Sequence, residues 1–295
     1  MRIGIDIGGT KIEAVAIDDD ATVLATSHAP VCPGPEGITS GVLDAVDGLT
    51  RAAARPVDSI GIGVPGAIRR GVVRHARNIA IESLDLEAAI SAATGVPVRV
   101  TNDVNAAALG AWRLSGGCSS AFAYLNLGTG MAAGLVLDGE VWEGARGLAG
   151  EIGYCSVDPH GPDHVEGLAG SLEAYASGSG VVARWGVDGA TAVDVFRAAT
   201  AGDPRAVELR DGVYFGAASA VRLLALAYNP DTVVVGGGLA RLGTELYDGM
   251  AVHFDAWSQA SPFIASLELG RLTRLLDDDR PVHAIGAAFL GGHRG

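Results

Sequence analysis

The chain has a single lysine among its 21 basic residues, three cysteines, three methionines and only 5% aromatic side chains. Each scarcity excludes something. Cys32, Cys118 and Cys155 lack metal-type spacing and are too few for a disulfide framework, so free thiols in a reducing cytoplasm are expected. No run of about 18 apolar residues occurs, which leaves no membrane-helix candidate. No charged-then-apolar leader precedes Met1-Arg2-Ile3, so the expectation is a cytoplasmic protein. A net charge of −13 argues against a nucleic-acid surface, yet leaves room for a local basic site facing a phosphate.

What the chain does have is apolar side chains, 48% of its 295 residues, enough for a sizeable core in one large or two ordinary domains. It also keeps one compact ammonium, Lys11, where arginine serves everywhere else. Lysine acts as a point charge toward phosphates, which suits this choice; a solvated lysine after a turn fits the same sequence.

Lys11 follows Arg2-Ile3-Gly4-Ile5-Asp6-Ile7-Gly8-Gly9-Thr10. Ile3, Ile5 and Ile7 alternate as on a strand, and Gly8-Gly9 makes a tight turn into a second strand from Ile12 to Ile17. Backbone N–H groups of that turn and the Thr10 hydroxyl can cradle a phosphate, and Asp6 at the strand end can hold Mg²⁺ through water. The turn is not a P-loop, because no helix follows a Gly-Lys-Ser/Thr ending. A plain glycine hairpin remains the alternative. The pattern continues with a strand at Thr22–Thr26, a helix at Gly37–Ala54, a strand at Ser59–Val64 ending in Pro65-Gly66, and helical spacing over Leu84–Thr94.

A strand over Val96–Val100 runs into Thr101-Asn102-Asp103-Val104-Asn105 and a helix to Trp112. This places a carboxylate between two amides at a strand's C-terminal end, where ligands bind in open α/β sheets. Asp103 there can take a proton from a substrate hydroxyl, or it can simply N-cap the helix. The strand-then-glycine turn then returns: Ser120–Leu127, then Gly128-Thr129-Gly130, then Met131–Leu137. The two turns can grip one polyphosphate, and the chain reads as a duplicated α/β unit with a cleft between halves. Further on come a glycine-rich stretch with Glu151 and Tyr154, a loop over Ser156–Gly170, and a helix at Leu172–Ala176 bearing Glu173. Helices follow at Thr191–Ala201, Ala206–Tyr228, Gly243–Trp257 and His283–Gly291. The strand Thr232–Val235 ends in Gly236-Gly237-Gly238, where the backbone can approach a nucleotide base or merely turn.

In order and spacing, Asp6-Ile7-Gly8-Gly9-Thr10-Lys11, Gly63-Val64-Pro65-Gly66, Asn102-Asp103-Val104-Asn105, Leu127-Gly128-Thr129-Gly130, Gly150-Glu151-Ile152-Gly153, Leu172-Glu173 and Gly236-Gly237-Gly238 resemble the ROK family (repressors, open reading frames and kinases). The resemblance implies duplicated actin-like ATPase (ribonuclease H-like) domains. The smaller lobe is expected at residues 1–115 with 283–295. The larger is expected at 116–282, and the resemblance favours a homodimer through it. It further implies ATP-dependent phosphorylation of a hexose or hexose-like hydroxyl, with Asp103 as general base. Gly66, Asn78, Asn102, Asp103, Glu151, Tyr154 and Glu173 fall at acceptor positions. Asp6, Gly8, Gly9, Thr10, Lys11, Gly128, Thr129, Gly130, Gly237 and Gly238 fall at nucleotide, phosphate and Mg²⁺ positions. Read on their own, Glu151 fits a solvated loop acid and Glu173 a first-turn helix acid.

One departure stands out. The family places a zinc ion beside the sugar on one histidine and three cysteines; the matching positions hold Tyr154, His164, Glu166 and Ser171. Tyrosine and serine are poor zinc ligands and no thiolate remains, so no structural zinc is expected, although Cys155 and His160 lie nearby in sequence. Loss of the histidine also makes an amino sugar or a sugar-like cyclitol an alternative acceptor. A repressor would need a helix-turn-helix ahead of the first strand, and a non-catalytic sugar binder would not need Asp103 and Lys11.

Overall fold

The computed structural model describes residues 1–163, 167–276 and 280–291. They form two units, one of residues 1–119, 134–149 and 280–291, the other of residues 120–133 and 150–276. The first unit opens with β1 (Arg2–Ile7), β2 (Lys11–Ile17), β3 (Val23–Pro30), α1 (Pro35–Ala53) and β4 (Ser59–Val64). A small antiparallel sheet follows, of β5 (Ala67–Arg69), β6 (Val72–Ala76) and β7 (Ile81–Asp85), and then α2 (Leu86–Thr94), β8 (Val98–Asn102) and α3 (Asp103–Leu114). β9 (Ala121–Leu127) begins the second unit; the unit boundary falls within β10 (Met131–Leu137), and β11 (Glu140–Val141) belongs to the first. The second unit resumes through α4 (Leu172–Ala176), α5 (Gly178–Trp185), α6 (Ala192–Thr200), α7 (Pro204–Tyr228), β12 (Thr232–Gly236), α8 (Thr244–Ala260), α9 (Pro262–Ala265), α10 (Leu269–Leu272) and β13 (Thr273–Leu275). The closing helix, α11 (Val282–Leu290), returns to the first.

The first sheet runs β3-β2-β1-β4-β8, antiparallel through the opening hairpins and parallel from β1 to β8. Strands covered on both faces read as continuous apolar runs. Ile3, Ile5, Ile7, Ile60, Ile62 and Val64 are accordingly fully buried. Burial of such a side chain is worth about 1.5–3 kcal/mol. Helix α1 starts with Pro35 in its first turn and lays Ile38, Val42, Ala45, Val46 and Leu49 inward, the i, i+4, i+7, i+8 stripe of an amphipathic helix. Helix α11 docks more closely still. A methyl group at Gly4 or Gly61 would collide with its backbone at Ala284 or Ala287, and Gly286 meets the α3 backbone at Ala106.

The second sheet runs β11-β10-β9-β12-β13, with β9, β12 and β13 parallel. It repeats the order of the first sheet, so the duplication expected from the two turns is present in the topology. Helix α7 begins at Pro204 behind the Asp203 cap, whose carboxylate accepts the Ala206 N–H at 3.0 Å, and ends on left-handed Asn229.

Three features depart from the sequence pattern. Residues 81–85 form a strand, and the helix begins only at Leu86, because Asp85 caps it by accepting the Ala88 N–H at 3.0 Å. The β5–β7 sheet, at three to five residues a strand, is too short for periodicity to reveal. Helix α5 opens Gly178-Ser179-Gly180, a poor helix sequence that is rescued by its Ser177 cap on the Gly180 N–H at 2.9 Å.

Candidate active site

In the first unit the parallel strands end at one edge, and the expected residues gather there. Asp6 closes β1 and pairs in register with Gly63 of β4 and Glu13 of β2. Gly63 is the spacer: a methyl there would sit 3.4 Å from the Asp103 Cα and 3.8 Å from Asp6 Oδ1. The two carboxylate residues therefore approach each other over a glycine. The N-cap of α3 is Asn102, not Asp103, its Oδ1 accepting the Val104 N–H at 2.9 Å. Its Nδ2 donates to the Gly66 carbonyl at 3.3 Å. Asp103 is the first helical residue, with Oδ1 accepting the same Val104 N–H at 3.0 Å. The Gly8 N–H donates to the Lys11 carbonyl at 2.9 Å, closing the turn, and Asn78 lies beside Gly9. Thr10 is exposed at the tip of this turn.

Burial shapes the charges at this edge. It raises Asp6 to about 7, the Glu13 charge adding and Lys11 opposing. It also raises Asp103, assisted by the Asp6 charge and resisted by His283. Burial in turn holds the His283 imidazole down against the pull of Asp103. Two carboxylates this close resist ionising together, the usual signature of a site awaiting a cation or a proton. Lys11 Nζ meets Glu13 Oε2 at 3.1 Å, and Glu13 Oε1 meets His28 Nε2 at 2.9 Å. Burial pushes Glu13 up, but the hydrogen bonds from His28 and Lys11 prevail and carry it below its usual range. Sequence reasoning missed Glu13, His28 and His283. Glu13 could have been found as the residue two beyond Lys11, on the same strand face; His283 lies far along the chain and gave no local signal.

The second unit presents a different surface. The Gly128 N–H donates to the Gly130 carbonyl at 3.1 Å, and the start of α5 closes on this turn: the Gly178 N–H donates to the Gly128 carbonyl at 2.8 Å and the Ser179 N–H to Thr129 at 3.0 Å. Beside it opens a cavity of about 590 Å³, its lining including Thr129, Ser179, Phe196, Gly238 and Arg241. Gly237 has φ +86°, and a methyl there would press on the Leu127 carbonyl at 2.6 Å; a methyl at Gly238 would find no atom within 4 Å and would simply face space. Glu173 Oε2 accepts the Met131 N–H at 2.7 Å and abuts Gly130 and Gly153, so α4 is latched to the turn. Glu151 precedes a 3-10 turn and Tyr154 is its last residue; both are exposed.

Two of the residues at the family's zinc positions are described, and neither is an ordinary zinc ligand. Ser171 is fully buried and its hydroxyl is committed as the α4 cap, accepting the Ala174 N–H at 3.2 Å. Tyr154 is 45% exposed. His164 and Glu166 lie outside the described residues.

Comparison with known proteins agrees with this architecture. The ROK family pattern matches residues 2–288. A glucokinase of Halalkalibacterium halodurans is 32% identical over 98% of this chain and 94% of its own length. An N-acetylmannosamine kinase of Citrobacter koseri is 32% identical over 88% of this chain and 89% of its own. The crystal structure of a ROK family glucokinase from Streptomyces griseus in complex with glucose and AMPPNP superposes with a TM-score of 0.77 at 29% identity, covering 98% of each chain. With a match of that extent and relatives at this identity across nearly its whole length, the chain belongs to the ROK family.

Proposed function

We propose that this protein is a kinase that transfers the terminal phosphoryl group of ATP to a hydroxyl of a hexose or a close analogue. The observation that carries the reading is Asp103: a carboxyl raised by burial, first in its helix, beside Asp6 at the C-terminal edge of a parallel sheet. Phosphoryl transfer needs positioning and charge neutralisation more than covalent help. Asp103 accepts the acceptor hydroxyl's proton as the oxygen attacks phosphorus. In the first unit Asn102 and Asn78 orient the acceptor, with Gly66 backing it. In the second, Glu151, Tyr154 and Glu173 are the acceptor candidates.

Asp6 and the turn Gly8-Gly9-Thr10-Lys11 serve the phosphates of the donor, as does Gly128-Thr129-Gly130 in the second unit. Asp6 suits a water-bridged Mg²⁺, since a carboxyl held near 7 by burial and a neighbouring acid gains most from a cation. Bound Mg²⁺ supplies charge neutralisation at the phosphates. The cavity beside Gly128 favours a nucleoside donor over bare polyphosphate, because its lining is largely apolar and Gly238 brings backbone to it, with Gly237 next in the chain. Kinship with a glucokinase and an N-acetylmannosamine kinase supports a hexose or amino sugar; Tyr154 in the histidine position keeps a cyclitol in view. We infer a cytoplasmic homodimer; among the described residues no helix is long and apolar enough to cross a membrane.

The test is coupled ATP consumption over hexoses, amino sugars and cyclitols, with light scattering for the assembly. A single acceptor with Mg²⁺-dependent turnover is expected. Tight sugar binding with no ATP consumed across the panel would instead make the protein a sugar binder.

A further inference from the structure

In the second unit, residues 156–163 and 167–171 are the described parts of a loop whose ends are tied together. Ser156 and Ser171 pair as an isolated bridge, and Ser156 Oγ donates to the Ala169 carbonyl at 2.7 Å. The Val157 N–H donates to Gly170 at 2.9 Å, the Gly170 N–H to Pro162 at 2.8 Å, and the Leu172 N–H to Cys155 at 2.9 Å. Inside this closed loop sits Asp158. Its Oδ1 accepts the His160 N–H at 2.9 Å and its Oδ2 accepts the Tyr175 hydroxyl at 2.9 Å.

Tyr175 stands on α4, two residues beyond Glu173, and it is wedged in place. A methyl at Gly161 would meet its hydroxyl at 2.6 Å, and one at Gly216 of α7 would meet its Cβ at 2.5 Å. Phe215 approaches its ring edge-on at 5.3 Å, and Arg184 lies over the ring at 5.6 Å while donating to its carbonyl at 3.2 Å. The ring cannot move toward the loop, so the loop is held to the ring. Burial, with Asp158 adding, pushes the Tyr175 hydroxyl up to about 12, so its proton stays available. The His160 amide, then the Tyr175 hydroxyl, hold Asp158 below its usual range. The bond is therefore charge-assisted, the stronger kind.

We propose that the Tyr175–Asp158 hydrogen bond is the staple that sets the arm 156–163 against α4, making both residues positioning residues for the acceptor side of the site. Each end of the loop joins an acceptor candidate: the turn carrying Glu151 and Tyr154 precedes it, and Glu173 follows. The staple uses a wedged aromatic and a carboxylate where the family's zinc positions here hold no fitting set. The acceptor part of this inference rests on the kinase reading; the staple itself does not.

Tyr175→Phe keeps the wedge and removes only the hydroxyl. Hydrogen exchange of amides 156–163, measured without substrate, should quicken about fivefold, the factor set by one hydrogen bond of ordinary strength. KM for the acceptor should rise by a similar factor, with KM for ATP unchanged. Asp158→Asn, which keeps an acceptor oxygen but loses the charge, should fall between Tyr175→Phe and the parent on both readouts. Parent-like exchange in Tyr175→Phe overturns the staple whatever the enzyme does. Faster exchange with an unchanged acceptor KM overturns the positioning role alone. If the parent phosphorylates no sugar, the kinase reading and the acceptor role fall together, while the exchange result still decides the staple.

Discussion

The two glycine turns sit at the same place in two sheets of the same strand order, yet they have been furnished differently. Around Gly8-Gly9 the side chains are ionisable: Asp6, Lys11, Glu13 and Asp103, with His283 acting on Asp103. Around Gly128-Thr129-Gly130 the groups are mainly backbone amides, hydroxyls and a largely apolar cavity with Arg241 in its lining, and the acid that abuts the turn, Glu173 of α4, accepts the Met131 N–H. One copy is furnished mainly with charge and the other mainly with backbone amides and shape. A duplicated scaffold lets this happen, because each turn keeps its amides whatever side chains surround it. Changes at the first turn should therefore alter rate, charge balance and pH response, while changes at the second should alter fit alone.

The largest effect is expected at Asp103. Asp103→Asn should keep the fold and sugar binding and lower kcat by about 10²–10⁴, the usual cost of losing a general base. Calorimetric sugar binding beside turnover measures both. A variant with near-normal kcat would remove chemistry from the charged copy and dissolve the contrast.

Asp6→Asn tests the stored cost of that charge. A carboxyl raised from 3.8 to about 7 is harder to ionise folded than unfolded, so the stability present below pH 4 is lost as pH climbs toward 7. At alkaline pH this amounts to on the order of 4 kcal/mol before relaxation. Ligand-free Asp6→Asn should melt above the parent at pH 8, the gap closing near pH 4, while Mg²⁺-dependent turnover is lost. Melting curves at the two pH values decide it; a variant less stable than the parent at pH 8 would mean that Asp6 is a structural acid.

Lys11→Ala should raise KM for ATP about tenfold, as for a hydrogen bond to a charged partner, and leave the sugar Kd unchanged. An unaltered KM would reduce Lys11 to a partner of Glu13 on the strand.

How far the sequence foretold this division depends on the kind of signal. Apolar strand runs and glycine turns are local, so both sheets and both turns were legible from Ile3, Ile5 and Ile7 and from Gly128-Thr129-Gly130. The sequence pattern offered Asp103 as the alternative cap; the backbone gives that place to Asn102 and makes Asp103 the first helical residue. Glu13 was hidden because strand alternation marks a face but not its neighbours. His283 was hidden because its effect on Asp103 is set by the docking of α11 on β1 and β4. The cavity by Gly128 depends on α5, whose glycine-rich start reads as loop. His164 and Glu166, at two of the zinc positions, lie outside the described residues.

For the shape-based copy, Gly238→Leu is the sharper probe. A methyl at Gly238 meets nothing within 4 Å, so the variant should fold with an unchanged Tm, whereas Gly237 at φ +86° would strain. The added side chain enters the cavity and should raise KM for ATP about fivefold, the cost of an imperfectly filled apolar pocket. That rise should be independent of pH, unlike the effects at Asp6. A pH-dependent shift would mean that an ionisable group such as Glu173 governs nucleotide fit at the second turn and would break the contrast.

The smallest expected effect is on zinc removal. A structural zinc contributes to folding by joining deprotonated thiolates and imidazoles in a closed tetrahedral set. At the four family positions, Tyr154 is exposed and Ser171 spends its hydroxyl capping α4; neither offers a ligand. His164 and Glu166 make at most two, and two do not close a site. The hydrogen bonds of Ser156, Val157, Gly170 and Leu172, with Tyr175 on Asp158, already tie the loop's two ends. Protein purified without added zinc should carry less than stoichiometric metal, and a zinc-selective chelator should leave its Tm unchanged. Stoichiometric zinc with a fall of several degrees would place a ligand set around Cys155, His160 or His164. The loop would then be ordered by an ion rather than by the Tyr175–Asp158 hydrogen bond.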